Sequence, residues 1–186
     1  MATEPINAYD EMVKDLIKND SGLVFGNISA EHAKFIIKAF IDSAKQSIEI
    51  LSGSFCNQFY TEIDFYNDIK KAAEKIGSPG KIRIITMNDT DHKAIREKFT
   101  AINKAVGCDV ISYIPCKYTG EAPIEHFMVV DNKRYREEEV HKEFGNNMAE
   151  SVKASVCCNG VEKAREIISR FNLVWDFLND KKTVHA

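Results

Sequence analysis

Lys81-Ile-Arg-Ile-Ile-Thr86, the run on to Gly107, and then Cys108-Asp-Val-Ile-Ser-Tyr-Ile114 form the stretch that decides the fold. The first segment is rich in β-branched residues, the pattern of a strand. Ile95, Phe99, Ile102 and Val106 then recur at helical spacing, and Gly107 supplies the stop. Cys108 to Ile114 reads as the next strand. A strand, a helix of more than about ten residues and another strand is the unit that sets two strands parallel in one sheet under a covering helix.

The same alternation extends toward the N-terminus. Ser47 to Leu51 reads as a strand and Ser52-Gly-Ser54 as a small-residue loop; Thr61 with Asp64 suggests a capping box. Ile63, Tyr66, Ile69, Ala73 and Ile76 share the face of the helix that follows, which Gly77 and Pro79 stop. Ser29 is placed to cap a helix bearing Ala33, Ile36, Ile37, Phe40 and Ala44, and Asn7 one bearing Tyr9, Met12, Val13, Leu16 and Ile17 that ends near Asn19. Leu23-Val-Phe25 is a short connecting segment.

After Pro115 the rhythm changes. Glu125 to Asp131 and Lys133 to Glu137 flank a turn at Asp131-Asn132 and read as an antiparallel hairpin. Ala154 to Cys158 is a further strand. Asn159 is placed to cap a last helix with Val161, Ala164, Ile168, Phe171, Trp175 and Leu178 inward, and the charged tail 179–186 is expected to fray. The expected architecture is a single α/β domain over residues 1–186, a mixed, mostly parallel sheet flanked by helices, with 1–28 as an N-terminal helical extension. Its core is expected from Ile36, Phe40, Ile50, Ile69, Ile84, Phe99, Val110, Val129, Val156, Phe171 and Trp175.

Composition narrows the function classes. With 25 basic against 28 acidic residues the net charge is -3, which gives no broad attraction to nucleic acid or anionic membrane and leaves a local basic patch open. No run reaches the roughly 20 apolar residues that span a bilayer, and Glu4 and Asp10 stand where a secretion signal would be basic and then apolar, so a cytoplasmic location without membrane is expected. Cys56, Cys108, Cys116, Cys157 and Cys158 form an odd set without a C-x-x-C pair, which signals neither a disulfide framework nor a metal site, and no cofactor pattern is present.

Chemically capable side chains concentrate between residues 126 and 141: His126, Asp131, Arg134, Arg136, Glu137, Glu138, Glu139 and His141. In the hairpin, His126, Met128 and Val130 share one face, and register decides whether Glu137 or Glu139 stands beside His126. A carboxylate there would fix the imidazole tautomer and suit a nucleophile or general base. The alternative is an exposed hairpin laced with solvated charge. His126 stands apart because it interrupts an apolar strand, where a buried polar group needs a partner. The candidate catalytic set is His126, Asp131 and Glu137; Arg134 and Arg136, with Ser52 and Ser54 beyond a strand's carboxyl end, are candidate anion-binding residues.

The order of elements, the His126 strand ending in Val129-Val-Asp131 and a last helix with Phe171-x-x-x-Trp175 resemble one half of the phospholipase D superfamily over residues 29–178. That family's motif, H-x-K-x-x-x-x-D with a following Gly-Ser and Asn segment, supplies a phosphorus-attacking histidine, a phosphate-holding lysine and a supporting acid. Two motifs meet at a pseudo-dyad or homodimer interface, so the resemblance implies a homodimer and a phosphate-containing ligand. Counted from His126, Met128 stands at the lysine position and Lys133 at the acid position. Counted back from Asp131, Ile124 takes the histidine position and His126 the lysine position. Arg136-Glu-Glu-Glu139 stands where the Gly-Ser segment would be. Phosphoryl transfer needs a cation for developing charge, which Met128 cannot supply and Arg134, Arg136 or Lys117 could. The resemblance therefore implies a catalytically degenerate binding or regulatory module, with a divergent phosphodiesterase or nuclease using His126 as the alternative.

Overall fold

The computed structural model describes residues 8–27, 29–53, 64–87, 91–117, 126–139 and 153–184. The elements in chain order are α1 (Ala8–Lys18), β1 (Val24–Asn27), α2 (Ala30–Ser43), β2 (Ile48–Ser52), α3 (Phe65–Ile76), β3 (Ile82–Met87), α4 (His92–Val106), β4 (Ile111–Cys116), β5 (Phe127–Val130), β6 (Arg134–Glu138), β7 (Ala154–Cys157) and α5 (Val161–Val184). Thr61, Ser54, Cys56 and His141 lie outside the described residues.

Local chemistry sets most boundaries as expected. Ser29 Oγ accepts the His32 amide at 3.1 Å at the start of α2. Gly77 and Gly107 end α3 and α4 in the left-handed conformation, φ 59° and 83°, where a Cβ would be strained. Other boundaries differ. Asp64 is itself the N-cap residue of α3, but its carboxylate accepts from the Asn67 side-chain Nδ2 and caps no backbone amide. The Gly160 carbonyl, one residue beyond Asn159, accepts the first helical bond of α5 from Ala164. The Leu23 segment yields an edge strand, and α5 runs to Val184.

Among the described residues one seven-stranded sheet has the order β1-β7-β6-β5-β2-β3-β4. The β2-β3-β4 part is parallel through the crossovers α3 and α4, and the remaining pairings are antiparallel. The sheet is mixed as expected. Two of its six strand pairings are parallel and four antiparallel, with β5 and β7 running opposite to the other strands.

Pleating divides the core between the two faces. Ile48, Ile50, Ile82, Ile84, Met128, Val130 and Val156 pack under Val13, Phe40, Phe65 and Phe99 from α1 to α4. On the other face Leu51, Ile85, Phe127, Val129 and Tyr135 pack under Ala164, Ile167 and Phe171 of α5. The expected core holds throughout, with Trp175 only partly buried and stacked on Phe171 at 5.5 Å. Ile167 is the inward residue of α5 at the position where Ile168 was expected, and Val161 is exposed.

A polar clamp also ties α5 to the sheet. Arg83 bonds Glu49 Oε1 at 3.1 Å and Asn172 Oδ1 at 2.9 Å, with its guanidinium 4.9 Å from the Phe171 ring centroid. Burial holds the Glu49 carboxyl above the usual carboxylate range, against the pull of Arg83. Cys157 and Cys158 are buried, and burial pushes the Cys158 thiol up to about 11, the condition of an unreactive core thiol. No helix among the described residues is long and apolar enough to cross a membrane.

Candidate functional site

The hairpin register decides which side chains meet His126. The β5–β6 turn occupies Asp131, Asn132 and Lys133, one residue more than the two read from the sequence, with Asp131 and Asn132 at φ 54° and 57° and the Lys133 amide bonded to the Val130 carbonyl. Val130 therefore pairs with Arg134 and Phe127 with Glu137. A one-residue shift exchanges the faces of a strand. Glu138, not Glu137 or Glu139, stands beside His126: its backbone amide donates to the His126 carbonyl at 2.9 Å, and its Oε2 lies 3.1 Å from His126 Nδ1.

The same strand end collects further polar groups on the α2 side of the sheet. Ser52 pairs with Thr86 across β2 and β3, and one step beyond the Leu51–Phe127 pair it adjoins His126. The Thr86 hydroxyl lies 2.7 Å from that of Tyr113. Glu138 Oε1 accepts from Arg136 Nη1 at 2.5 Å, and Arg136 Nε donates to Asn27 Oδ1 at 3.0 Å. Arg136 is the direct ladder partner of Met128 and is 3% exposed, and its Nη2 is buried with no hydrogen-bond partner among the described residues.

An ionised carboxylate only accepts, so the Glu138 contact favours the tautomer with a proton on His126 Nδ1. Close by on α1, Tyr9 stacks on His32 at 3.7 Å and donates its hydroxyl to the Gly26 carbonyl. Burial pushes the Tyr9 hydroxyl up to about 12 although the Arg136 charge opposes the rise. A depression of about 570 Å³ opens at this edge, walled by Phe25, Gly26 and Ala154 and by the three consecutive glutamates Glu137, Glu138 and Glu139.

The other sequence candidates lie elsewhere. Asp131 sits at the far end of β5, five residues or roughly 16 Å of extended chain from His126, and accepts the amides of Lys45, Gln46 and Ser47 at 3.0, 2.7 and 3.1 Å. Arg134 is at that end too, 3.2 Å from Asp20. Glu137 points to the opposite face, where it pairs with Arg170 and with Lys163 at 3.3 Å. Ser52 is buried and Ser54 lies outside the described residues. His126, Arg136 and Ser52 thus come together; Glu138 and Asn27 join them unannounced, Glu138 because register is a property of the turn and Asn27 because β1 is distant in sequence.

This fold also occurs in solved structures. Nuc from Salmonella typhimurium, a phospholipase D family member, superposes with a TM-score of 0.59 at 20% identity over 83% of this chain and 94% of that one. The fold is that of the phospholipase D family. NucT from Helicobacter pylori shares the phospholipase D-like arrangement at a TM-score of 0.55 and 13% identity, over 83% of this chain and 97% of NucT. TrmBL2, an archaeal chromatin protein whose structure shows a novel mode of DNA binding, matches at 0.59 and 11% over 89% of this chain, which spans 57% of its length. No family model matches the chain, and no curated protein matches it in sequence.

Proposed function

We propose that this chain is a phospholipase D-like binding module, a homodimer that holds a phosphate-type anion at the His126 strand end without hydrolysing it. The observation that carries the reading is the Met128–Arg136 pair. Met128, two residues in from His126, is 4% exposed and part of the apolar core, and the guanidinium opposite it is buried and engaged by Glu138 and Asn27. Charge developing on phosphoryl oxygens would meet a thioether where a preorganised ammonium is needed, and one such lost contact typically costs on the order of 10²–10³ in rate. Similarity of fold to an archaeal chromatin protein supports a non-enzymatic use of this architecture. The chain covers nearly the whole of Nuc and NucT, which supports a cleft completed by a second copy.

The alternative is a divergent phosphodiesterase or nuclease with His126 as nucleophile, favoured by the His126–Glu138 contact, which would orient the ring for attack through Nε2. Wild type, His126→Ala and Met128→Lys are assayed on a chromogenic phosphodiester and on DNA in chelator, with sedimentation at tens of micromolar alongside. Background rates and a dimer are expected. Wild-type turnover abolished by His126→Ala would establish the enzyme, and a monomer would refute the shared cleft.

A further inference from the structure

We infer that Glu138 is an internal plug: its carboxylate occupies the position of the anion that the His126 edge receives, and ligand binding displaces it. This rests on the reading of that edge as an anion site. A tetrahedral oxyanion bridging an imidazole and a guanidinium would place one oxygen on each, and Glu138 already does so, with Oε2 at His126 Nδ1 and Oε1 at Arg136 Nη1. Charge-assisted contacts of this kind are the strong ones, so ligand and plug compete for the same donors.

Two further observations separate a plug from an ordinary surface ion pair. Arg136 is 3% exposed and its Nη2 is buried with no hydrogen-bond partner among the described residues, so Glu138 uses only part of the donor fork that bidentate recognition of phosphate employs. A buried cation with an unused donor is costly unless another state satisfies it. Glu138 also forms part of the wall of the 570 Å³ depression. Swinging its side chain about χ1 would join the Arg136 fork to that space, and β6 ends at Glu138, so the movement asks little of the ladder.

The ligand class is a phosphate monoester or diester. Inorganic phosphate and dimethyl phosphate serve as probes, titrated calorimetrically into wild type, Glu138→Gln, Glu166→Gln and the double variant Glu138→Gln/Arg136→Lys. Removing the competing carboxylate should tighten binding of one probe on the order of tenfold, the worth of one charge-assisted hydrogen bond; the responding probe assigns ester class. Glu166→Gln makes the same change of charge on the exposed face of α5, away from the depression, and should shift affinity less than about twofold in view of screening. Arg136→Lys in the Glu138→Gln background should remove the gain, because a point charge lacks the fork.

If neither probe binds Glu138→Gln more tightly than wild type, or if Glu166→Gln gives an equal gain, the plug is refuted. Should Glu138→Gln fail to fold, Glu138→Asp keeps the charge but is too short to hold both partners, and a smaller gain is expected; no gain there overturns the inference equally. Hydrolysis by the wild type would sink the module reading and leave the plug standing, whereas absent tightening would sink the plug and leave the module.

Discussion

Asp131 was a candidate catalytic acid, and its surroundings give it a structural load that a denaturation experiment can weigh. Its carboxylate accepts the amides of Lys45, Gln46 and Ser47, where the chain leaves α2 and enters β2, and its own amide bonds the Ser47 carbonyl at 3.0 Å. Hydrogen bonds to a charged acceptor contribute about 1.5–3 kcal/mol each, discounted where water can replace them. Ser47 is buried while Lys45 and Gln46 are exposed, so one bond counts nearly in full and two count little. Asp131→Ala should therefore cost about 2–4 kcal/mol, including about 1 kcal/mol for placing alanine at φ 54°. Asp131→Asn tolerates the backbone and keeps one acceptor, and should cost about 1–2 kcal/mol. For a chain of this size the alanine variant's midpoint falls by roughly 4–16 °C. Urea denaturation of both variants, with amide exchange at residues 45–47, measures this. An alanine variant within about 0.5 kcal/mol of wild type would refute the reasoning and return Asp131 to the list of functional acids.

Two other perturbations test the two faces of the sheet. Phe171→Ala should destabilise by about 3–5 kcal/mol, since its ring is fully buried between Phe127, Trp175 and Arg83; a loss below about 1 kcal/mol in chemical denaturation would show that α5 does not seal that face. Glu49 has its carboxyl raised in the fold by burial, so below the unfolded value near 4.5 both states are protonated and no penalty applies, and stability from this group is lost as pH rises through the raised folded value. The stability of Glu49→Gln relative to wild type should thus increase from pH 4 to pH 7, and a difference that stays flat or reverses would contradict the burial argument.

How much was legible in the sequence differs between backbone and site for physical reasons. Helix faces, the Gly77 and Gly107 stops, the Ser29 cap and the β-branched strands are local, set by spacing, by glycine's access to positive φ and by orphan amides within one turn. The alternation across residues 81–114 and the hairpin after Pro115 therefore carried the α/β class and its mixed sheet, and the resemblance on those elements carried the fold. The partner of His126 was not local. It depended on whether the β5–β6 turn takes two residues or three, because a period of two turns one extra residue into a change of face, and Lys133 in the turn sent Glu137 to α5 and brought Glu138 to the imidazole. Asn27 reached Arg136 from 109 residues away only because β1 adds antiparallel to β7 at the sheet edge. Sequence by itself determined the elements and the faces they bury, since burial of apolar periodicity is a short-range pattern. Tertiary structure alone decided which charges meet, since that follows from register and strand order, which the chain settles only when the sheet closes.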